Sequence, residues 1–388
     1  MKKKITVLGC GLVGAAIARD LSREAEFELT VADASPAALG RLGDHPSVAS
    51  IRRVEADLSD RRRLASLVEG ADAVVGALPG RLGFAMLERV VHIGRPIADI
   101  SFSPENPLAL DDLAQDSGST AVVDCGVSPG ISNFAVGRAA AGLSRVEEVT
   151  IRVGGLPVRR ERPFEYAIVF SASDVLEEYT RPARVVEDGR VVVKPALSEA
   201  ETIEVAGVGK LEAFLTDGLR TLLSTVSARS MKEKTLRYPG HAAAMRALRD
   251  GGFFDTEPVE VSGVSVAPRA LSEKLLGRAW KLGEDEEEVT YLSVEVSGAG
   301  APGSTRRYFF ELLDRTARGV TSMARTTGFP CAAIAAMLAR GEYRDPGIRP
   351  LEMLARDPAV SARFLDGLRS RGLEWTERWT DPSGKSRK

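Results

Sequence analysis

A glycine-rich turn near the start of the chain constrains the fold more than any other sequence feature. The segment Gly9–Gly14, with the sequence GCGLVG, follows the apolar run Ile5–Leu8 and opens a stretch with helical spacing. Asp33 stands nineteen residues after Gly14, at the end of a second apolar run. The fingerprint of a dinucleotide-binding βαβ unit is this order of a strand, a glycine turn, a helix, a second strand and an acidic residue.

The fingerprint assigns a task to each of its residues. Gly9 allows the tight turn, Gly11 has no side chain to block a pyrophosphate, and Gly14 lets the helix pack closely against the strand. The helix N-terminus offers unpaired N–H groups and partial positive charge to phosphates. Asp33 would accept hydrogen bonds from the ribose hydroxyls and repel a 2′-phosphate, which predicts NAD as the cofactor rather than NADP.

Residues at the ends of two later strands are expected to extend this site. Asp57-Leu58 follows the third predicted strand and Leu78-Pro79 follows the fourth, where ligands of such sheets bind. Ordinary strand-to-helix turn chemistry is the alternative explanation for both pairs. The predicted cofactor-binding set is Gly9, Gly11, Leu12, Val13, Gly14, Asp33, Asp57, Leu58, Leu78 and Pro79.

Length and charge limit the classes of protein that the chain can be. Its 388 residues suffice for two domains, and 52 basic against 54 acidic residues argue against nucleic-acid binding. The apolar runs fall short of the roughly 18 residues that cross a membrane, so a cytoplasmic protein without a membrane partner is expected. The cysteines and histidines show no ligand spacing, which predicts no metal site: Cys10, Cys125, Cys331, His45, His92 and His241.

The first third of the chain alternates between strand-like and helix-like segments. Predicted strands are 5–8, 29–32, 51–55, 73–78, 96–100 and 120–124, and predicted helices are 13–22, 36–41, 61–68, 83–92 and 108–116. Six strands with helical crossovers predict an α/β fold, a Rossmann-type doubly wound parallel sheet.

Runs of β-branched and aromatic residues replace this alternation after about residue 130. Predicted strands are 149–153, 166–170, 202–206, 260–266, 289–296 and 306–313, with hairpin turns at 187–190 and 297–303. Predicted helices are 174–179, 240–249, 271–280, 331–338 and 359–368. The charge run 284–288 is expected to be a solvated loop, and 381–388 a frayed tail. This pattern predicts an α+β domain with a mainly antiparallel sheet.

Four further stretches, together with the glycine turn, carry a resemblance to a known family. They are 124–131 (DCGVSPGI), 154–157 (GGLP), 234–241 (KTLRYPGH) and 321–328 (TSMARTTG), and they span most of the chain. The chain resembles the saccharopine-dehydrogenase-like family, and within it the lysine 6-dehydrogenases.

The resemblance implies that the α+β domain is inserted into the nucleotide-binding domain. Residues 1–128 and 321–388 would form the NAD-binding Rossmann domain, and 129–320 a substrate-binding and dimerisation domain, so a homodimer is expected. The implied reaction is NAD-dependent oxidation of the ε-amine of L-lysine, a small-molecule amino-acid substrate. The imine would hydrolyse to the 6-semialdehyde, which cyclises to piperideine-6-carboxylate.

Four residues are candidates for this chemistry, which needs a neutral amine and a proton acceptor. Asp124 ends the sixth predicted strand and could orient or deprotonate the substrate amine, or cap the following turn. Arg237 offers a bidentate fork for the substrate carboxylate beside a predicted helix N-terminus. Tyr238 and His241 are candidates for a proton relay. A packing or surface role is the alternative for these last three residues.

Five other residues near these motifs are not assigned a catalytic role. Lys232 and Lys234 are interpreted as ion-paired or solvated. The sequence leaves open whether Glu165 and Tyr166 face a cleft or lie in a plain strand. Cys125 is interpreted as a small buried residue rather than a nucleophile, because amine oxidation needs no thiolate.

Two alternative functions stay open at this point. A saccharopine or carboxyspermidine-type dehydrogenase would need more arginines for the extra carboxylates of its substrate. The chain offers Arg152, Arg159, Arg160 and Arg162 for this purpose. A non-catalytic, NAD-sensing regulatory protein would need only the nucleotide fingerprint, and the motifs of the second domain argue against it.

Overall fold

The computed structural model describes residues 1–43, 46–168, 171–283, 286–300, 304–380 and 386–387. The chain divides into two units, each with its own sheet. Unit 1 comprises Met1–Gly142, Ser224–Val226 and Met323–Glu374, and unit 2 comprises Leu143–Leu223, Ser227–Ser322 and Trp375–Lys388.

The described elements follow one another along the chain. The strands are β1 Lys3–Leu8, β2 Phe27–Asp33, β3 Arg52–Glu55, β4 Ala73–Gly76, β5 Ile97–Asp99, β6 Thr120–Val122, β7 Arg145–Pro157, β8 Ala183–Glu187, β9 Arg190–Lys194, β10 Glu201–Val205, β11 Gly209–Leu215, β12 Ala228–Arg237, β13 Val259–Val261, β14 Val264–Val266, β15 Glu288–Ala299, β16 Thr305–Arg315, β17 Gly347–Ile348, β18 Trp375–Thr380 and β19 Ser386–Arg387. The helices are α1 Leu12–Leu21, α2 Pro36–Gly40, α3 Arg61–Val68, α4 Gly80–His92, α5 Asp111–Ser117, α6 Ile131–Ala141, α7 Ala172–Thr180, α8 Leu222–Thr225, α9 His241–Asp250, α10 Pro268–Ala279, α11 Ser322–Arg340, α12 Leu351–Leu354 and α13 Pro358–Ser370.

Unit 1 is built on a parallel sheet with the strand order β3-β2-β1-β4-β5-β6-β17. The order reverses between β1 and β4, which is the switch point where ligands of doubly wound sheets bind. The six predicted strands and the predicted Rossmann fold are confirmed. The seventh strand, β17, has only two residues and was not predicted from the sequence.

Late segments of the chain complete unit 1. Helix α11 is buried along most of its length, and a Cβ on its Gly328 would lie 3.1 Å from Cγ1 of Ile17 in α1. A Cβ on Gly137 in α6 would lie 2.3 Å from the carbonyl oxygen of Glu352 in α12. At both positions glycine therefore allows a helix from the last part of the chain to pack closely against an earlier helix.

Unit 2 contains a ten-stranded sheet, whose main path is β10-β11-β12-β7-β15-β16-β18-β19, while β8 pairs with β12 and β9 pairs with β8. The β7–β12 pair is parallel, and the other recorded pairs are antiparallel, which confirms the predicted mainly antiparallel sheet. Asp188 and Gly189 both have positive φ, at 47° and 76°, and form the predicted turn between β8 and β9. Strand β18 belongs to this sheet, whereas the sequence analysis assigned 321–388 to the first domain.

Two predicted strands in this unit are wrong. In the predicted strand 166–170, the described residues form one isolated bridge, between Ile168 and Lys281, and Tyr166 packs against the ring of Trp280. The last two residues of this segment lie outside the described residues. The predicted strand 260–266 is the hairpin β13–β14, since Ser262 and Gly263 both take positive φ.

The predicted solvated loop 284–288 ends on a buried residue. Glu288 opens β15 and has no exposed surface, while Glu284 and Asp285 lie outside the described residues. The predicted turn 297–303 and the predicted tail 381–388 also lie partly outside them. In the described parts of the chain, no helix combines the length and the apolar character that spanning a membrane requires.

Candidate functional site

The glycine turn after β1 is shaped by close contacts at two of its three glycines. Gly9 has a φ of +103°, and a Cβ there would lie 2.3 Å from the carbonyl oxygen of Ala77. A Cβ on Gly14 would lie 2.2 Å from the carbonyl oxygen of Gly9. A Cβ on Gly11, the N-cap residue of α1, would meet no atom within 4 Å. Packing therefore requires Gly9 and Gly14, whereas Gly11 leaves open space beside the N-terminus of α1.

The carboxylate of Asp33 is fixed against this turn. Its Oδ2 accepts a hydrogen bond from the Cys10 N–H at 2.7 Å, and its Oδ1 accepts one from the Ser35 N–H at 2.8 Å. Each carboxylate oxygen keeps a further lone pair for another donor. Asp33 is half-buried at the end of β2. The open space at Gly11 and this oriented acid together fit a dinucleotide, with pyrophosphate at the helix and ribose at the acid.

The four predicted residues at the ends of β3 and β4 have clear local roles. Asp57 is exposed, and its Oδ1 accepts hydrogen bonds from the N–H and hydroxyl of Ser59, which lower the pKa of Asp57. Leu58 is buried in the core of unit 1. Leu78 packs near Gly9, and Pro79 is the N-cap of α4. Their contact with a cofactor stays a prediction.

The ends of β5 and β6 bring two buried carboxylates to the same edge of the sheet. Asp99 is 3% exposed, and its Oδ1 accepts a hydrogen bond from the Ser101 hydroxyl at 2.8 Å. Asp124, also 3% exposed, has a φ of 53°. The Cys125 N–H donates to the backbone oxygen of Asp99 at 2.9 Å, which ties the two strand ends together. Asp99 was missed from the sequence, although an acid near the end of a predicted strand is a signal for such a residue.

The backbone of Asp124 has an uncommon positive φ, and a tightly packed turn follows it. The Gly126 N–H donates to the Pro129 oxygen at 3.1 Å, and Gly130 has a φ of +143°. A Cβ on Gly130 would lie 1.8 Å from the Gly126 oxygen, so this turn tolerates only glycine there. Burial raises the pKa of Cys125 well above its usual value, so its thiol is a poor nucleophile at neutral pH.

In unit 2 the structure brings Arg237 and His241 together through a residue that the sequence analysis did not single out. The Arg237 Nε–H donates to the hydroxyl of Tyr179 at 3.3 Å, and this hydroxyl lies 2.9 Å from His241 Nε2. His241 Nδ1 lies 3.0 Å from the Phe164 carbonyl oxygen, which can only accept. Nδ1 therefore carries the proton, Nε2 accepts from Tyr179, and Tyr179 accepts from Arg237.

Burial and the charge of Arg237 keep His241 neutral within this chain of hydrogen bonds. Burial, and then the charge of Arg237, lower the pKa of His241 to about 3. Its acceptor nitrogen is already used by Tyr179, whose pKa burial raises to about 12. The relay role of His241 stays a prediction. In the structure its two ring nitrogens lie within hydrogen-bond distance of the Tyr179 hydroxyl and the Phe164 carbonyl oxygen.

Arg237 is almost completely buried and forms an ion pair with Glu178. It is 2% exposed, and its Nη2 lies 2.5 Å from Glu178 Oε2, while its Nη1–H donates to the backbone oxygen of Leu236. Burial raises the pKa of Glu178, and the charge of Arg237 opposes this rise. The predicted carboxylate-binding arginine therefore already has a carboxylate partner within the chain.

Tyr238 and the N-terminus of α9, the other two parts of the predicted substrate site, also form hydrogen bonds within the chain. Tyr238 lies in a cluster with Leu236 on the opposite face of the sheet from Arg237, and its hydroxyl donates to the Pro157 oxygen at 2.9 Å. The N-terminus of α9 receives the Glu212 carboxylate, which accepts from the N–H groups of Gly240 and Ala242 at 3.2 Å. A substrate carboxylate is therefore not needed at that helix end.

An aromatic cage, formed by Tyr166, His241 and Trp280, lies beside the Arg237 guanidinium. Its carbon lies 4.5 Å from the ring centroid of Tyr166, and the Tyr166 ring packs 5.2 Å from both His241 and Trp280. The Tyr166 hydroxyl and the Trp280 Nε1 are buried and have no hydrogen-bond partner among the described residues. Burial raises the pKa of Tyr166 well above its usual value, so the hydroxyl keeps its proton.

A second buried acid lies on the same face of β12. Glu233 is 2% exposed, and its Oε2 accepts a hydrogen bond at 2.6 Å from the hydroxyl of Thr216, which also contacts the hydroxyl of Thr235. No ion pair to Glu233 is found within the described ranges. Burial, with the nearby charges of Glu178 and Asp217, raises the pKa of Glu233 to about 8.

The lysines and arginines that flank these motifs are paired with glutamates. Lys232 contacts Glu199 at 2.7 Å and Lys234 contacts Glu201 at 3.1 Å, in line with the ion-paired interpretation. Three of the arginines considered for extra substrate carboxylates form ion pairs, Arg152 with Glu295, Arg159 with Glu161 and Arg160 with Glu165. Within the described residues no cluster of metal-ligating side chains occurs.

The fold and the turn of unit 1 define a Rossmann-type dinucleotide-binding protein, and comparison with known proteins gives the family. Residues 5–122 match the model of the saccharopine dehydrogenase NADP binding domain. Residues 126–373 match the saccharopine dehydrogenase C-terminal domain. The chain belongs to the saccharopine dehydrogenase family of NAD(P)-binding oxidoreductases.

Individual relatives are distant. The alpha-aminoadipic semialdehyde synthase of Arabidopsis thaliana is 22% identical over 248 residues, which cover 60% of this chain and 23% of that protein. The carboxyaminopropylagmatine dehydrogenase of a Synechocystis strain is 20% identical over 96% of this chain and 97% of that protein. Apo saccharopine dehydrogenase (L-Glu forming) from Saccharomyces cerevisiae has a TM-score of 0.77 at 17% identity, with 97% of this chain and 99% of that chain covered. This last likeness shows a shared fold.

Proposed function

We propose that the chain catalyses the NAD-dependent oxidation of the ε-amine of L-lysine to the 6-semialdehyde, which cyclises to piperideine-6-carboxylate. The fixed carboxylate of Asp33 beside the glycine turn carries the cofactor part of this proposal. The family membership supports an oxidoreductase that acts at a carbon–nitrogen bond. In this proposal unit 1 binds the cofactor and unit 2 binds the substrate.

Within unit 1 each residue has a defined task in the proposed reaction. The open space at Gly11 and the N–H groups that begin α1 receive the pyrophosphate, and Asp33 orients the ribose. When bound, the nicotinamide accepts the hydride that leaves the amine-bearing carbon. Asp124 takes the proton that leaves the nitrogen, and its buried, turn-fixed position suits a positioned base.

The cofactor choice is tested by exchanging the acid at the end of β2. With NAD favoured, kcat/KM for NAD should exceed that for NADP in the wild-type chain. Asp33→Ala should lower this ratio about tenfold or more, because the charge that opposes a 2′-phosphate is gone. A wild-type chain that uses NADP as well as NAD or better would contradict the choice.

The substrate is tested by a panel of amines with each cofactor. Reduction of NAD should be fastest with L-lysine, compared with ornithine, saccharopine, cadaverine and carboxyspermidine. The rate should rise into alkaline solution, because the reacting amine must be neutral and a lysine ammonium titrates near a pKa of about 10.4. A profile that is flat from neutral to alkaline pH would contradict amine oxidation.

A second candidate is the oxidation of a secondary amine that carries extra carboxylates, as in saccharopine or a carboxyspermidine. The match along nearly the full length of a carboxyaminopropylagmatine dehydrogenase favours it. The ion pairs of Arg152, Arg159 and Arg160 favour the smaller substrate, because a further substrate carboxylate would have to compete with their glutamate partners. Faster turnover of saccharopine than of lysine would establish the second candidate.

We further propose that the protein is a cytoplasmic homodimer, as the family resemblance implies. Light scattering at micromolar concentration should give twice the mass of one chain. A monomer at that concentration would contradict the assembly without affecting the proposed reaction.

A further inference from the structure

The aromatic cage of unit 2 contains hydrogen-bond donors that the fold does not use. The Tyr166 hydroxyl and the Trp280 Nε1–H are buried, at 6% and 2% residue exposure, and have no acceptor among the described residues. The two rings pack edge to face at 5.2 Å. A buried donor without an acceptor is costly, and native proteins rarely keep one without a reason.

Arg237 adds unused donors at the same place. A guanidinium has five N–H groups, and Arg237 uses one each toward Tyr179, Leu236 and Glu178. Two N–H groups therefore remain without an acceptor in the described part of the chain. The guanidinium lies over the Tyr166 ring, so the spare donors and the unpartnered hydroxyl belong to one cluster.

A carboxylate is also present in this cluster, because Glu178 is ion-paired with Arg237, whose guanidinium lies over the Tyr166 ring. Besides burial, the charges of Glu178 and Glu288 contribute to the raised pKa of Tyr166. Hydrogen-bond donors without an acceptor can bind an anionic oxygen, and carboxylates can bind an ammonium group. A ligand that carries both signs on neighbouring atoms, as an α-amino acid does, satisfies the whole cluster.

We infer that the Tyr166 hydroxyl and the Trp280 indole N–H donate hydrogen bonds to the carboxylate of a zwitterionic amino-acid substrate beside the Arg237–Glu178 pair. This inference rests on the proposed function and names the side chains that would select its substrate. Tyr166 and Trp280 act in binding, and Arg237 holds Glu178 and Tyr179 in place. The α-ammonium group of the same ligand faces the carboxylates.

The test measures binding of three ligands by calorimetry, using the full chain in the presence of NADH. L-Lysine and 6-aminohexanoate carry the carboxylate, and cadaverine lacks it. Tyr166→Phe should weaken the first two by roughly 10- to 100-fold, because a hydrogen bond to a charged group is lost, and should leave cadaverine unchanged. Trp280→Phe should show the same dependence on the carboxylate.

Stability gives the readout that separates binding from folding. Tyr166→Phe should keep or raise the melting temperature, because its hydroxyl makes no bond in the fold. Tyr179→Phe should lower it, since the bonds to Arg237 and His241 are lost. The matched control is Tyr291→Phe on the opposite face of the sheet, whose hydroxyl donates to Glu311 at 2.8 Å and which should show no dependence on the carboxylate.

Unchanged affinities in Tyr166→Phe, or equal weakening of all three ligands, would overturn the inference. Failure of the wild-type chain to bind either carboxylate ligand would overturn it as well. Turnover of the amine panel is measured separately. A chain that binds these ligands in the expected way but oxidises none of them would contradict the proposed function and leave the binding inference standing.

Discussion

The glycine turn of unit 1 and the aromatic cage of unit 2 are polar sites built in opposite ways. The turn is made of backbone, with one carboxylate held by two N–H groups, and Gly11 leaves open space. The cage is made of side chains whose hydrogen bonds run from Arg237 through Tyr179 and His241 to a carbonyl. Gly11 can be altered with little effect on the fold, whereas the cage is part of the core of its unit.

The largest effect is expected at the strand end of unit 1. Asp124→Asn keeps the size of the side chain and removes the proton acceptor, so kcat for amine oxidation should fall by about 100- to 10,000-fold. NADH binding, followed by its fluorescence, should stay within a few-fold of the wild-type value. Full activity in Asp124→Asn would show that the proton leaves by another route.

Loss of the buried ion pair should affect stability more than any surface change. Arg237→Met leaves Glu178 buried without a cation and Tyr179 without its donor, at a cost of about 3–5 kcal/mol. All three tryptophans of the chain, Trp280, Trp375 and Trp379, lie in unit 2, so tryptophan fluorescence in urea reports this unit alone.

A half-exposed ion pair of the same unit provides the control for this measurement. Arg152→Met removes a partner of Glu295 and of Glu201, whose side chains are 48% and 42% exposed, and should cost less than about 1 kcal/mol. Equal losses for Arg237→Met and Arg152→Met would show that the buried pair contributes no more than a surface pair, and would remove the contrast between the two sites.

Two glycines of the turn should respond differently to the same methyl group. Gly11→Ala should keep the melting temperature, because its Cβ meets no atom within 4 Å, yet weaken NADH binding on the order of 10- to 100-fold. Gly14→Ala should destabilise unit 1 by about 1–3 kcal/mol, because its Cβ would meet the Gly9 oxygen at 2.2 Å. A melting temperature lowered equally by both would mean that Gly11 serves packing.

The last effect concerns the pH dependence of the stability of unit 2. The pKa of Glu233 is raised to about 8, so the folded state holds a proton that the unfolded chain releases near pH 4.5. Its contribution is fully present below pH 4.5 and is lost as pH rises toward 8, by up to about 1.4 kcal/mol per pH unit. Glu233→Gln cannot ionise and should unfold with a flatter dependence over this window. Parallel curves for the two proteins would contradict a protonated Glu233.

Much of unit 1 could be predicted because its signals are local. The spacing from Gly9 to Asp33 fixes a strand, a turn, a helix and a second strand, and the six-strand alternation fixes the sheet type. Asp33 and Asp124 could be placed at strand ends because parallel strands finish at one edge of the sheet. The two-residue strand β17 carries too few residues for a periodic signal.

Unit 2 was predictable as a mainly antiparallel sheet but not in its polar contacts. Tyr166, Glu178, Arg237 and Trp280 come from different segments of the chain, and no spacing rule relates them. Arg237 and Tyr238 are sequence neighbours, yet they lie on opposite faces because strand side chains alternate. The sequence by itself determined the dinucleotide fingerprint and the two fold classes, since these follow from local periodicity and backbone geometry. Only the tertiary structure decided which carboxylate meets Arg237, which proton His241 holds and which donors stay unpaired, because burial and long-range packing set these.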